Sequence, residues 1–137
     1  MKIRVLDSWA ILEWISGRQP ATDAVTKLLE ESEAGAARLY MSAINVGEVY
    51  YFLRKHHSEA LAESWRDLSR TLPATVEVPT LDEIWEAASL KARHPIAYAD
   101  AFAAALAFKY RCPLVTGDVE FRSIQKLQLD WLGRAPR

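Results

Sequence analysis

Hydrophobic residues recur along this chain in two patterns, as short β-branched runs and as longer stretches with helical spacing. Residues 3–6 form a short β-branched run, which predicts a first strand. In residues 58–72, apolar side chains follow one another at spacings of 4, 3 and 4, which predicts a helix with one buried face. The same two patterns alternate over the rest of the chain.

The predicted elements therefore form a regular series of strands and helices. Strands are predicted at residues 3–6, 38–41, 75–78, 113–116 and 127–131, and helices at 8–15, 20–34, 43–55, 58–72, 80–94 and 98–110. This alternation is typical of a parallel sheet covered by helices. We predict a single α/β domain over residues 1–137, with a central, mostly parallel sheet of four to five strands flanked by helices. The strand order does not follow from the pattern.

Four carboxylates lie where predicted strands end or on the helices beside them. Asp7 follows the first strand and Asp118 follows the fourth. Glu48 lies on the helix after the second strand, and Asp100 lies in the first turn of the last long helix. Parallel sheets bind ligands at the carboxyl ends of their strands, so convergence of these acids is expected. Each acid also has a local explanation, as a helix cap, a turn residue or a solvated side chain.

Converging carboxylates require a cation, because mutual repulsion would otherwise raise their pKa values. Cys112 is the lone cysteine, so it forms no internal disulfide. The adjacent His56 and His57 would point about 100° apart on a helix and cannot readily share one ion. A set of carboxylate oxygens without thiolate or paired imidazole favours magnesium, with manganese as the alternative, over zinc.

Four short segments carry the acids in a distinctive order between residues 5 and 121. They are Val5-Leu6-Asp7-Ser8, Asn45-Val46-Gly47-Glu48-Val49-Tyr50-Tyr51, Tyr98-Ala99-Asp100-Ala101 and Leu114-Val115-Thr116-Gly117-Asp118-Val119-Glu120-Phe121. Together these segments resemble the PIN-domain ribonucleases, and most closely the VapC toxins of bacterial and archaeal toxin–antitoxin pairs. All four acids match the pattern of that family.

The resemblance implies a magnesium-dependent endoribonuclease that hydrolyses RNA and leaves 5′-phosphate and 3′-hydroxyl ends. It places Asp7, Glu48, Asp100 and Asp118 in an acidic metal pocket. Auxiliary positions near that pocket are Ser8, Asn45 and Thr116, for which local capping and turn hydrogen bonds are the alternative explanation. The resemblance also implies a homodimer and a VapB-like antitoxin whose tail would lie in the acidic groove.

The charge balance limits how such a protein would hold RNA. Seventeen basic and eighteen acidic residues give a net charge of −1, which excludes binding by bulk charge. If the four pocket acids are set aside, the remaining fourteen acidic and seventeen basic residues give a net charge of +3. Candidates to bind phosphates are Arg18, Arg54, Lys55, Lys91, Arg93, Lys109, Arg111 and Arg122. We favour Arg93 and Arg122, which are nearest in sequence to Asp100 and Asp118, with plain solvent exposure as the alternative.

The sequence also carries expectations about location. Residues 101–108, the longest apolar run, are far shorter than the roughly 20 residues of a membrane helix. Asp7 interrupts the amino-terminal hydrophobic residues too early for a signal peptide. We therefore expect a cytoplasmic protein with no membrane partner.

Two other functions fit an α/β sheet with these acids. One is a non-catalytic PIN-like module that binds RNA or protein, for which the loss of an acid would be the mark. The other is a phosphoacceptor signalling domain, which needs an acid pair after the first strand and an acceptor aspartate after a middle strand. Asp7 stands alone after the first strand, and residues 75–79 contain no aspartate. We therefore favour the nuclease.

Overall fold

The structure is a computed structural model that describes residues 1–133. Its strands are β1 (Lys2–Leu6), β2 (Ala37–Ser42), β3 (Thr75–Glu77), β4 (Leu114–Thr116) and β5 (Leu129–Trp131). Its helices are α1 (Ser8–Ser16), α2 (Ala21–Glu33), α3 (Ala43–His56), α4 (Glu59–Ser69), α5 (Leu81–Arg93) and α6 (Tyr98–Tyr110), and a 3₁₀ helix spans Val119–Ser123. The predicted α/β class is confirmed.

Two local features differ from the sequence prediction. The helix predicted over residues 58–72 ends at Ser69, and residues 70–72 continue as a turn in which Leu72 remains buried. The 3₁₀ helix after β4 was not predicted, because five residues are too few to show a hydrophobic period. This 3₁₀ helix carries side chains of the candidate site described below.

All the paired strands in the described residues are parallel, in the order β3-β2-β1-β4-β5. The chain moves from β1 outward to β3 on one side, and then returns past β1 to place β4 and β5 on the other side. The order therefore reverses between β1 and β4, where Val5 lies opposite Leu114. In open α/β sheets such a reversal separates the connections above the strand ends and leaves a crevice for ligands.

The two faces of the sheet bury two separate apolar clusters. Val5 and Leu114 pack with α5, α6 and residues 121–127 on one face. Their neighbours Leu6 and Val115 pack with α1 to α4 on the opposite face. Successive strand residues point to opposite faces, so apolar residues at consecutive positions in β1 and β4 indicate strands covered on both sides.

The helix boundaries follow from capping residues. Gly17 ends α1 with a φ of 73°, a left-handed conformation that glycine adopts readily. The Ser42 hydroxyl accepts the backbone N–H of Ile44 at the start of α3. No helix within residues 1–133 is long and apolar enough to cross a membrane.

Candidate metal centre

Asp7 lies at the carboxyl end of β1 and is almost completely buried, with 2% of its surface exposed. One carboxylate oxygen, Oδ1, accepts the backbone N–H of Ala10 at 2.8 Å and caps α1. The other, Oδ2, accepts the hydroxyl of Thr116 at the end of β4. Asp7 therefore joins the two strands that border the reversal in strand order.

Three further carboxylates meet beside this crevice. Oxygen atoms of Asp100, Asp118 and Glu120 all lie within 4.8 Å of one another. Asp118 caps the 3₁₀ helix by accepting the N–H of Glu120 at 3.0 Å. Asp100 reaches the cluster from the first turn of α6, where one of its oxygens accepts the N–H of Ala97 at 3.3 Å.

Glu48 approaches the site from α3 and is held by Asn45, one helical turn earlier. The Asn45 Nδ2 donates to Glu48 Oε1 at 3.3 Å and to the carbonyl oxygen of Ala99 at 3.0 Å. The second bond ties α3 to the first turn of α6, next to Asp100. Asn45 is 1% exposed, and its Oδ1 is buried with no hydrogen-bond partner in the described part of the chain.

Asp7 and Glu48 are not among the three acids whose oxygens lie within 4.8 Å of one another, but both interact electrostatically with acids of that cluster. Burial raises the pKa of Asp7 from 3.8 to about 8, assisted by the negative charges of Asp100 and Asp118 and opposed by the Thr116 and Ala10 hydrogen bonds. The pKa of Asp100 is raised to about 7, mainly by burial and to a smaller extent by the negative charges of Asp118 and Glu48. Burial and the repulsion between carboxylates therefore both favour the protonated forms of Asp7 and Asp100.

The chemistry of these donors fits a hard divalent cation. Two oxygens bound to one magnesium ion at about 2.1 Å lie up to about 4.2 Å apart. The oxygens of the Asp100, Asp118 and Glu120 cluster already approach this spacing, so small side-chain rotations would suffice. A divalent ion bound there would offset the mutual repulsion of the acids and lower their pKa values.

The auxiliary residues occupy different places. Thr116 is fully buried, donates to Asp7 and accepts the N–H of Asp118 at 3.1 Å, so it positions both acids. Asn45 positions Glu48, as described above. Ser8 is buried at the start of α1, and no hydrogen bond joins its hydroxyl to the acids among residues 1–133.

Glu120 is the site residue that sequence reasoning missed. It was visible in the sequence only as a second acid two positions after Asp118. In a strand, that spacing would also put both side chains on one face, whereas here a tight 3₁₀ turn brings Glu120 to Asp118. The acid-x-acid spacing directly after a buried strand was the available signal.

The basic residues proposed for RNA divide into two groups. Arg18 pairs with Glu13, Arg54 with Glu59, and Lys109 with Glu77 and Glu83. The remaining five form no ion pair within residues 1–133; they are Lys55, Lys91, Arg93, Arg111 and Arg122. These five are therefore the better candidates to bind an external phosphate.

The two favoured arginines lie in different surroundings. Arg93 donates its Nε to the carbonyl oxygen of Ser89 at 3.3 Å and lines a groove of about 1170 Å³ along α5 and α6. Arg122 belongs to the same 3₁₀ helix as Glu120, and its guanidinium lies 4.0 Å from the ring centre of Trp131. The large groove does not include the clustered acids in its lining.

The domain family follows from a sequence match over most of the chain. The family model of the PIN domain matches residues 4–127, which include all the acids of the site. The chain belongs to the PIN-domain family. A search of characterised protein sequences gives no match.

Solved structures of toxin–antitoxin proteins share the fold of this PIN domain. VapBC2 from Rickettsia felis, bound to a DNA fragment from its promoter, has a TM-score of 0.71 at 16% identity and covers 95% of this chain and 98% of its own. VapC20 from Mycobacterium tuberculosis, a toxin that cleaves the sarcin–ricin loop, has a TM-score of 0.70 at 18% identity. The match covers 90% of this chain and 95% of the VapC20 chain. VapBC-1 from nontypeable Haemophilus influenzae has a TM-score of 0.66 at 22% identity, and the match covers 94% of this chain and 97% of the VapBC-1 chain. At these identities the similarity is one of fold.

Proposed function

We propose that this PIN domain is a magnesium-dependent endoribonuclease and the toxin of a VapBC-type pair, with manganese as the alternative metal. The observation that carries the proposal is the convergence of Asp100, Asp118 and Glu120 beside the buried Asp7. In a protein that binds no cation, bringing several carboxylates together would only lower stability, because the carboxylates repel one another and lose their hydration. The similarity in fold to VapC toxins supports the same activity.

The chain's own residues divide the work of the site. Asp100 and Asp118 would hold the cation, and Asp7 and Glu48 would complete the negative field around it. A divalent cation bound there would lower the pKa of the attacking water and would stabilise the negative charge on the phosphate. Glu120, the exposed carboxylate of the cluster, is within reach of solvent and would accept the proton of that water.

The direct test is RNA cleavage by the purified protein with magnesium, with EDTA, and after magnesium is restored. We expect cleavage only when the metal is present, with 5′-phosphate and 3′-hydroxyl ends. Asp100→Asn should reduce the rate by at least about 100-fold, since it removes a charge from the cation site. Glu120→Gln should lower kcat while leaving the magnesium affinity closer to that of the wild type.

Asp23→Asn provides the matched control, because this carboxylate is exposed on α2 and, within residues 1–133, accepts a hydrogen bond from the Gln19 amide alone. Circular dichroism of each variant would establish that the fold is kept. Full activity of a folded Asp100→Asn protein would contradict the proposed site. Cleavage that persists in EDTA would contradict metal dependence.

We also propose a VapB-like antitoxin as the partner. The support is the fold shared with VapBC complexes and an acidic crevice that would accommodate a basic side chain of an inhibitor. Expression of the chain should slow bacterial growth, and co-expression of a short, DNA-binding protein encoded immediately upstream should restore it. Expression of the Asp100→Asn variant without the partner should not slow bacterial growth. Equal toxicity of Asp100→Asn and wild type would contradict toxicity by RNA cleavage.

We propose that two copies associate through the face around the groove of α5 and α6. Trp85 lines this groove and is 64% exposed, and Leu81 and Val78 are exposed beside it. The rim carries both signs of charge, with Asp82 and Glu86 as well as basic residues. A twofold dimer presents one patch to itself, so a rim of mixed sign can pair with its own copy.

A non-catalytic RNA- or protein-binding module is the alternative function. It predicts RNA binding without magnesium-dependent, EDTA-sensitive hydrolysis, and the cleavage assay above separates the two. The phosphoacceptor alternative loses its support, because the chain belongs to the PIN family and residues 75–79, which comprise β3 and the two residues after it, contain no aspartate.

A further inference from the structure

Arg122 is close in sequence to two acids of the cluster, Asp118 and Glu120, but is not paired with them. It follows Glu120 by two residues in the same 3₁₀ helix. No ion pair or hydrogen bond joins its guanidinium to a carboxylate within residues 1–133. A 3₁₀ helix has three residues per turn, so Arg122 lies on the face of Val119, about a third of a turn from Glu120. The local geometry therefore directs this cation beside the acids and not into them.

Trp131 holds the guanidinium in its place. The central carbon of the guanidinium, Cζ, lies 4.0 Å from the centre of the Trp131 ring, a distance typical of cation–π stacking. Stacking restricts the guanidinium plane and leaves its N–H edges available, which is the geometry that binds phosphate oxygens in pairs.

Trp131 itself is fixed next to the candidate site. It is opposite Thr116 in the pairing of β4 with β5, and Thr116 donates to Asp7. Its indole packs against Gly133, where an added Cβ would lie 2.7 Å from the ring and 2.9 Å from the carbonyl oxygen of Gly117. The ring therefore adjoins the turn that leads from Thr116 to Asp118.

We propose that Arg122, positioned by Trp131, is a clamp for an RNA phosphate next to the scissile one. This inference rests on the proposed ribonuclease function and adds to it a sequence-independent contact with the substrate. An exposed, oriented guanidinium beside a negative pocket lets the RNA backbone approach acids that would otherwise repel it. Arg122 binds the phosphate, and Trp131 is a positioning residue.

The test is the salt dependence of RNA binding, measured by fluorescence anisotropy with a labelled single-stranded RNA of about 12 nucleotides. EDTA is present to stop hydrolysis. For Arg122→Gln, we expect weaker binding and a slope of log Kd against log salt that is smaller by about 0.7, the value for one lost phosphate contact on a single strand. Arg38→Gln is the control, because Arg38 is exposed near the amino end of β2, whereas the candidate site lies at the carboxyl ends of the strands.

Two further variants separate positioning from simple charge. Arg122→Lys keeps the charge but not the planar group, so it should retain the slope and bind more weakly. Trp131→Ala should raise KM for RNA cleavage with kcat little changed, and Trp131→Phe should restore most of the loss. If Trp131→Ala fails to fold, the Arg122 variants still decide the proposal.

The possible outcomes distinguish the clamp from the nuclease. An unchanged slope and affinity in Arg122→Gln, with normal cleavage by the wild type, would overturn the clamp alone. If Arg122→Gln left the slope unchanged and lost affinity only for single-stranded RNA made of one kind of base, Arg122 would contact a base and not a phosphate. That result would also overturn the clamp. A slope reduced by about 0.7 in a protein that cleaves no RNA would show that Arg122 binds a phosphate, but it would overturn both the nuclease and the place of Arg122 next to a scissile phosphate.

Discussion

The Asp7 carboxylate caps its own helix and also bonds to the end of a neighbouring strand. One oxygen caps α1 through Ala10, and the other accepts the Thr116 hydroxyl from β4. The local explanation of Asp7 as a helix cap is therefore correct, and it does not compete with a role in the site. Asp118 likewise caps the 3₁₀ helix while its oxygens take part in the acidic cluster.

At the residue scale, the raised pKa values predict how stability depends on pH. In the metal-free protein the pKa of Asp7 is about 8, against 3.8 for the free side chain. The folded state then binds more protons than the unfolded state between these values, so the free energy of unfolding decreases as pH rises from about 4 to about 8. We expect a loss of roughly a few kcal/mol over this range, measured by urea denaturation in EDTA.

Asp7→Asn should reduce this pH dependence, because the amide cannot ionise. Asp100 would contribute the remaining slope through its own pKa of about 7. Asp23→Asn, on the exposed surface of α2, should keep the decrease in stability that the wild type shows over this pH range. Magnesium should also flatten the curve by stabilising the ionised carboxylates. A wild-type protein whose stability rises with pH in EDTA would contradict the buried, protonated state of Asp7.

At the element scale, the turn after β4 depends on a close contact with α1. Gly117 lies between Thr116 and Asp118, and a Cβ at this position would overlap the indole ring of Trp9. The sequence shows a Thr-Gly-Asp turn at this point, but the reason for its glycine is a side chain more than a hundred residues away. The contact fixes the turn that presents Asp118.

Gly117→Ala should therefore destabilise the protein and displace Asp118. We expect a loss of about 1 to 3 kcal/mol in the free energy of unfolding, as in other overpacked sites, together with reduced RNA cleavage. Adding Trp9→Leu should recover part of the stability, because it removes the ring that the new methyl group meets. Gly47→Ala is the control, since a Cβ there meets nothing within 4 Å and alanine is the better helix residue. Equal stability of Gly117→Ala and wild type would show that Trp9 moves freely.

At the scale of the whole molecule, the groove of α5 and α6, which we propose as the dimer face, is distinct from the acidic cluster. It occupies about 1170 Å³ and is not lined by the clustered acids. An exposed aromatic side chain at its rim, Trp85, is a candidate anchor for a second copy.

We expect Trp85→Glu to shift the protein from dimer to monomer in size-exclusion chromatography with light scattering. A buried charge at the centre of a symmetric interface occurs twice, once from each copy, and neither would be paired. Tyr51→Glu is the matched control, because Tyr51 is a similarly exposed aromatic residue on α3. Unchanged mass for Trp85→Glu, or a monomeric wild type at all concentrations, would contradict this interface.

The sequence by itself determined the five strands and six α-helices, apart from some of their ends, together with the α/β class and the family resemblance. The reason is that hydrophobic periods, capping residues such as Thr80 and the segments around Asp7 and Asp118 are local patterns. Strand order and the inclusion of Glu120 depended on the tertiary structure. Pairing between β1 and β4 joins residues more than a hundred positions apart, so no local pattern encodes it. The same long-range packing buries Asp7 against Thr116, raises its pKa, and places Arg122 on Trp131 beside the acids.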